Sequence, residues 1–178
     1  DTHMAQYKFP TEVVNLPSKG RLYSKDSPLS KGEVELKYMT AKEEDILTSI
    51  NLIRKGIVID KVLESLIVDK KINIDDLLIG DKNALMISAR ILGYGKDYGV
   101  KANCSECGKS GDLKVDCTQL KDIEISDDIK ENKFSMKLPA TKVEIEFKLL
   151  TGAEEISVEK DVEAMQKVQP DIDYTNTF

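Results

Sequence analysis

Ile91-Leu92-Gly93-Tyr94-Gly95-Lys96-Asp97-Tyr98-Gly99-Val100-Lys101-Ala102-Asn103-Cys104-Ser105-Glu106-Cys107-Gly108 is where this chain changes its pattern. Before it, apolar residues recur at helical spacing; after it, they alternate with polar ones. Gly93 and Gly95 close the helical stretch. Tyr98 to Ala102 reads as a strand into a C-x-x-C turn and Asp112 to Cys117 as the strand out of it, so the two form a hairpin. Helices first and strands afterwards make this an α+β chain.

Working back from Gly93, residues 40–93 read as a helical unit. Thr40-Ala41-Lys42-Glu43 is a capping-box pattern, followed by Ile46, Leu47, Ile50 and Ile53 at helical spacing and Gly56 as a C-cap. Asp60 is placed to cap a second helix with Leu63, Leu66 and Ile67 inward. Asp75 or Asp76 caps a turn through Leu77 and Leu78. Asp81 caps a third helix that buries Leu85, Met86, Ala89 and Leu92. Before this unit, residues 5–39 read as an extended arm punctuated by Pro17 and Gly20, ending in the alternating strand Glu33 to Met39.

Working forward, 98–150 reads as a small antiparallel β unit. It holds the C-x-x-C hairpin and a second pair, Phe134 to Leu138 and Val143 to Leu149, separated by Pro139-Ala140. Thr151-Gly152-Ala153-Glu154 repeats the capping-box pattern and opens a final helix to about Val168, with a patternless tail to Phe178. Asp1 to Met4 reads as a tag scar ahead of a native Met4, which leaves that native chain without histidine, since His3 is the only one.

Apolar content of 40% with 33% charge describes a soluble globular protein, and no apolar run approaches the ~18 residues of a membrane span. With 26 basic against 32 acidic side chains the net charge is −6, which argues against nucleic acid as a partner. Trp is absent, so a base-stacking platform is not indicated. Three cysteines, an odd number, do not make a disulfide framework and fit a reducing compartment. Without a native histidine, Ser-His triads and His-based acid–base chemistry drop out. The acidic runs Glu43-Glu44-Asp45, Asp75-Asp76, Asp127-Asp128 and Glu154-Glu155 read as helix-start charges or solvated loops. A non-enzymatic interaction protein is the expectation.

Cys104 and Cys107 read as half of a zinc site, with Gly108 letting the chain fold back behind them. Structural zinc takes four ligands. Cys117 lies at the far end of the returning strand; at ~3.3 Å per residue it cannot close the same tetrahedron without a sharp bend, and it reads as a small core residue. Either the site is completed from outside these 178 residues, or the turn packs without metal. A redox dithiol would open a helix after a strand, a setting this Gly-bounded hairpin lacks. Arg90, amid apolar residues, either pairs with an acid of the first helix or stays at the surface. Tyr23, Arg90, Tyr94 and Tyr98 are the interface candidates, tyrosine and arginine being favoured at contact surfaces.

Several blocks, in order, resemble one family: Leu16 to Tyr23, Met39 to Leu47, Asp76 to Asp81, Ile87 to Gly95, then Tyr98 and Cys104-Ser105-Glu106-Cys107-Gly108. Across roughly residues 15–120 the chain is similar to the baseplate-hub assembly proteins of contractile-tailed, T-even-type bacteriophages. The resemblance implies a non-enzymatic role in virion assembly, in the host cytoplasm and in the virion tail, with other baseplate or tail proteins as partners. It also implies a second C-x-x-C nearer the C-terminus. None lies within these residues, which reads as a truncation, a proteolytic fragment or a divergent member. The alternative is a zinc-ribbon-like adaptor that binds nucleic acid or another protein.

Overall fold

The computed structural model describes residues 10–169; the tag scar, His3 and the tail from Pro170 lie outside the described residues. Thr11–Asn15 (β1) pairs antiparallel with Glu33–Lys37 (β2), from Thr11 opposite Lys37 to Asn15 opposite Glu33. In β2 the alternation is realised: Val34 and Leu36 are buried while Glu33 and Glu35 face solvent. Between the strands the chain does not trail as an arm. Leu16, Leu22 and Leu29 are buried, and the Leu16 N–H donates to the Gly32 carbonyl at 2.8 Å. Burial of three leucines ties this segment to the body. The reversal depends on Gly20, at φ +74°, where a Cβ would stand 2.4 Å from the Ser30 carbonyl oxygen.

Four helices follow: Ala41–Leu47 (α1), Ile50–Arg54 (α2), Val58–Leu66 (α3) and Ile79–Tyr94 (α4). The Thr40–Glu43 capping box forms, with the Thr40 N–H donating to Glu43 Oε2 at 2.9 Å. The first helix does not run on to Ile53, as its spacing predicts. The Thr48 hydroxyl donates back to the Glu44 carbonyl at 3.0 Å, and Ser49 is extended, so the helix restarts at Ile50. The break turns Ile50 and Ile53 outward, 64% and 51% exposed. Gly56, at φ +69°, lies just past the end of α2.

Asp60 and Asp81 are not the caps expected of them. The caps are Ile57 and Leu78, and each aspartate sits on the third helical residue. Apolar demand explains the shift: Leu78 is buried, and a carboxylate one turn inside still meets the positive helix end. Asp60 there pairs with Lys82 Nζ at 2.5 Å. A 3₁₀ turn, Ile74–Asp76, capped by Asn73, links α3 to α4.

The core lies between β2, α1, α3 and α4, with Leu36, Leu63, Leu66, Leu77 and Leu85 fully enclosed. Among the described residues it draws its buried apolar side chains from Leu16 to Ala89 and none from beyond.

The second half is built as expected but stands on that core. Asp97–Asn103 (β3) pairs with Ser110–Asp116 (β4), and Phe134–Lys137 (β5) with Glu144–Phe147 (β6), both antiparallel. The rings of Phe134 and Phe147 stack across the second pair. Gly152–Val168 (α5) opens on the Thr151–Glu154 capping box. Backbone bonds from the Gly152 N–H to Leu77 (3.0 Å) and from the Ile79 N–H to Leu150 (3.1 Å) fasten the start of α5 to the start of α4. Asn132 accepts from the Leu149 N–H and donates to its carbonyl, both at 2.8 Å. Among the described residues, no helix is long and apolar enough to cross a membrane.

Candidate interface groove and cysteine turn

The Arg90 side chain joins the end of the helix to the start of the hairpin. α4 ends at Gly95, at φ +82°. One turn earlier, the Arg90 guanidinium donates to the Gly95 carbonyl at 3.0 Å and to the Asp97 carbonyl at 3.1 Å. It also lies 5.1 Å from the ring centre of Tyr94 and 5.5 Å from that of Tyr98. Arg90 therefore clamps the end of α4 to the first residues of β3, where the sequence alone points to an acid of α1 or to solvent.

Beside this clamp runs a groove of about 490 Å³. Leu63, Met86 and Ala89 line it from the helical unit, Met39 from the link between β2 and α1, and Val115 and Leu120 from the base of the hairpin; Arg90, Tyr94, Tyr98 and Cys117 line it too. Tyr94, Tyr98 and Leu120 are each about half exposed. Such a surface offers apolar contact, two phenols and one cation, a composition suited to binding. Of the four interface candidates the fold brings three together here. Tyr23 stands apart, with its hydroxyl engaged inside the protein.

At the opposite end of the hairpin, Asn103 faces Ser110 and the chain turns through the two cysteines. The Cys104 N–H donates to the Lys109 carbonyl and the Gly108 N–H to the Cys104 carbonyl, both at 2.9 Å, with Gly108 at φ +68°. The N–H groups of Cys107 and Glu106, then the Cys107 thiol, bond the Cys104 sulfur and hold its pKa below the ordinary thiol value. Both cysteines are exposed. Cys117 follows β4 at the far end, where its N–H donates to the Lys96 carbonyl at 2.8 Å. A seven-residue strand separates it from the turn, about 20 Å at the usual rise. Among the described residues, no three His, Cys, Asp or Glu side chains gather as a metal cluster.

The burial of two carboxylates escaped the sequence reading. Asp81, 1% exposed, accepts from the Ser18 N–H at 2.9 Å, from the Ser18 hydroxyl at 2.6 Å and from the Tyr23 hydroxyl at 2.6 Å. Tyr23 in turn accepts from the Leu78 N–H at 3.0 Å. Burial first, then the Asp81 hydrogen bond and charge, push the Tyr23 phenol well above its ordinary value.

Glu43, fully buried, accepts from the Ser65 hydroxyl at 2.5 Å and from the Thr40 hydroxyl at 2.6 Å, and pairs with Lys37 Nζ at 3.0 Å. Burial acts to raise its pKa, but the bonds from Ser65, Thr40 and Lys37 outweigh it and hold the carboxyl at about 2. Both carboxylates pin the N-terminal segment and α1 to the body and have no free face for chemistry. The sequence marks both as helix-start acids, but their burial cannot be read locally, because the donors Ser18, Tyr23 and Ser65 are remote in sequence.

The family model described as "T4 bacteriophage base plate protein" matches residues 9–175. Comparison with curated proteins and with solved structures returns no match.

Proposed function

The chain belongs to the T4 bacteriophage base plate protein family, and on that premise we propose that it serves the baseplate hub as a non-enzymatic assembly or structural protein. Its partners are other baseplate or tail proteins, met in the host cytoplasm during assembly and in the virion tail. The observation that supports this reading is the groove at the base of the hairpin, an apolar surface flanked by half-exposed Tyr94, Tyr98 and Leu120. Aromatic side chains around an apolar centre are the usual anchors of protein contacts.

The test is co-expression with the baseplate and tail proteins of a T4-type phage. The wild-type chain is expected to co-purify with at least one of them. Leu120→Asp and Tyr98→Asp are expected to weaken that association at least tenfold with an unchanged circular dichroism spectrum. Undiminished association in both folded variants would remove the groove from the contact, and no association by the wild-type chain would remove the role.

The exposed cysteine turn favours a second reading, a zinc-ribbon-like adaptor. Salt-sensitive binding of DNA or RNA by the purified chain would favour it over the hub role.

A further inference from the structure

We propose that the groove holds an amphipathic α-helix of another protein, with the apolar stripe of that helix on α3 and α4 and one of its acidic side chains on Arg90. This rests on the groove being a contact surface and says what fills it.

The walls favour a helix. Ile59, Val62 and Leu63 line the groove from α3, and Met86, Arg90 and Tyr94 line it from α4 at intervals of one turn. Val62 and Leu63 are buried, while Ile59 and Tyr94 stand exposed. The α4 stripe is about 12 Å long at the helical rise, enough for two turns of a partner helix. The backbone groups within α3 and α4 are bonded inside their own helices. An extended peptide laid there would leave its own N–H and C=O groups unpaired, whereas a helix brings them already satisfied. Apolar residues at i, i+3 or i+4, and i+7 then meet the apolar lining.

Charge gives the occupant its sign. Among the described residues Arg90 is the one charged residue of the lining, and it takes part in none of the ion pairs. Its bonds go to two neutral carbonyls, which fix the guanidinium, leave its charge uncancelled and leave further N–H donors for a carboxylate. It also stands at one end. The Asp60–Lys82 pair puts Ile59 beside the start of α4, while Arg90 lies in the last two turns. A partner acid one turn beyond the apolar anchors therefore meets Arg90 between Tyr94 and Tyr98. This chain's own α5 fits less well, because Val158 and Val162 on its apolar side are already half-buried.

Arg90 also clamps the junction, so the test varies the charge on the probe and leaves the protein intact. The probes are overlapping synthetic peptides from the baseplate and tail proteins of a T4-type phage, each long enough for several helical turns, measured by fluorescence anisotropy. At least one is expected to bind the wild-type chain, to lose at least tenfold in affinity for Leu120→Asp, and to gain helical circular dichroism on binding. Replacing its acid by lysine is expected to weaken binding at least tenfold. A bound peptide that stays non-helical, binding indifferent to the lysine replacement, or no peptide bound would each overturn the helix. So would self-association of the wild-type chain that Leu120→Asp abolishes, which would give the groove to a second copy. If whole partners co-purify through the groove while no helical peptide binds, the contact stands and the helix alone falls; if neither binds, both fall.

Discussion

Tyr23 and Asp81, 58 positions apart, are joined by a hydrogen bond of 2.6 Å from the phenol to the carboxylate, and the same phenol oxygen accepts from the Leu78 N–H. One hydroxyl thus anchors the N-terminal segment to the first turn of α4. Tyr23→Phe removes a donor from a buried carboxylate and an acceptor from a backbone N–H. It is expected to cost about 1–3 kcal/mol in urea unfolding. Because the folded phenol has a raised pKa, its contribution is full below the unfolded value of about 10 and is lost as pH rises through the folded one. Alkaline absorbance titration should therefore show one tyrosine failing to ionise with the rest until the protein unfolds. A smooth titration of every tyrosine in folded protein would contradict this.

Glu43 gives the opposite pH dependence. Its folded pKa is about 2 against an ordinary 4.5, so its contribution is present above about 4.5 and is lost as pH falls towards 2. A shift of this size corresponds to about 3 kcal/mol. Glu43→Gln is expected to lower stability at neutral pH by a similar amount and to flatten the acid limb between those values. Parallel wild-type and variant acid limbs would assign acid lability to other groups.

Two glycines should respond differently to alanine. Gly20→Ala forces a side chain into a left-handed backbone and towards the Ser30 carbonyl, which cannot move alone. A loss of at least about 2 kcal/mol is expected. At Gly93 the added Cβ meets Met39 Sδ at 2.6 Å, the end of a flexible side chain. The gain in helix propensity, about 1 kcal/mol, offsets that adjustment, so the melting temperature should barely change. Equal losses at both positions would show that Met39 is as fixed as backbone.

Arg90→Lys tests the clamp. An ammonium cannot span the Gly95 and Asp97 carbonyls while lying on two rings as the planar guanidinium does. Hydrogen exchange of the Lys96 to Val100 amides is expected to quicken about five- to thirtyfold, equivalent to ~1–2 kcal/mol of local opening. The Leu63 and Leu66 amides should keep their protection. Unchanged exchange at the junction would show that the β3–β4 ladder holds the hairpin without Arg90.

The kinds of element and their order were set by short-range pattern. The alternation in Glu33 to Lys37 and in Phe134 to Phe147, the Thr40 and Thr151 capping boxes, and Gly108 behind the cysteine turn each act within a few residues, so the α+β character could be read along the chain. Arg90, Tyr94 and Tyr98 could be picked out because they are near neighbours in sequence. Only the tertiary structure decided what they touch. It set Met39 and Leu120 around the same groove, gave Arg90 two carbonyls, and paired β1, whose residues do not alternate, with β2. It also turned two aspartates expected as caps into residues inside their helices, and buried Asp81 and Glu43 among donors from remote segments. Periodicity and capping are energies of adjacent residues, whereas burial and long-range hydrogen bonds depend on which surfaces meet, and that exists only once the chain has closed on its core.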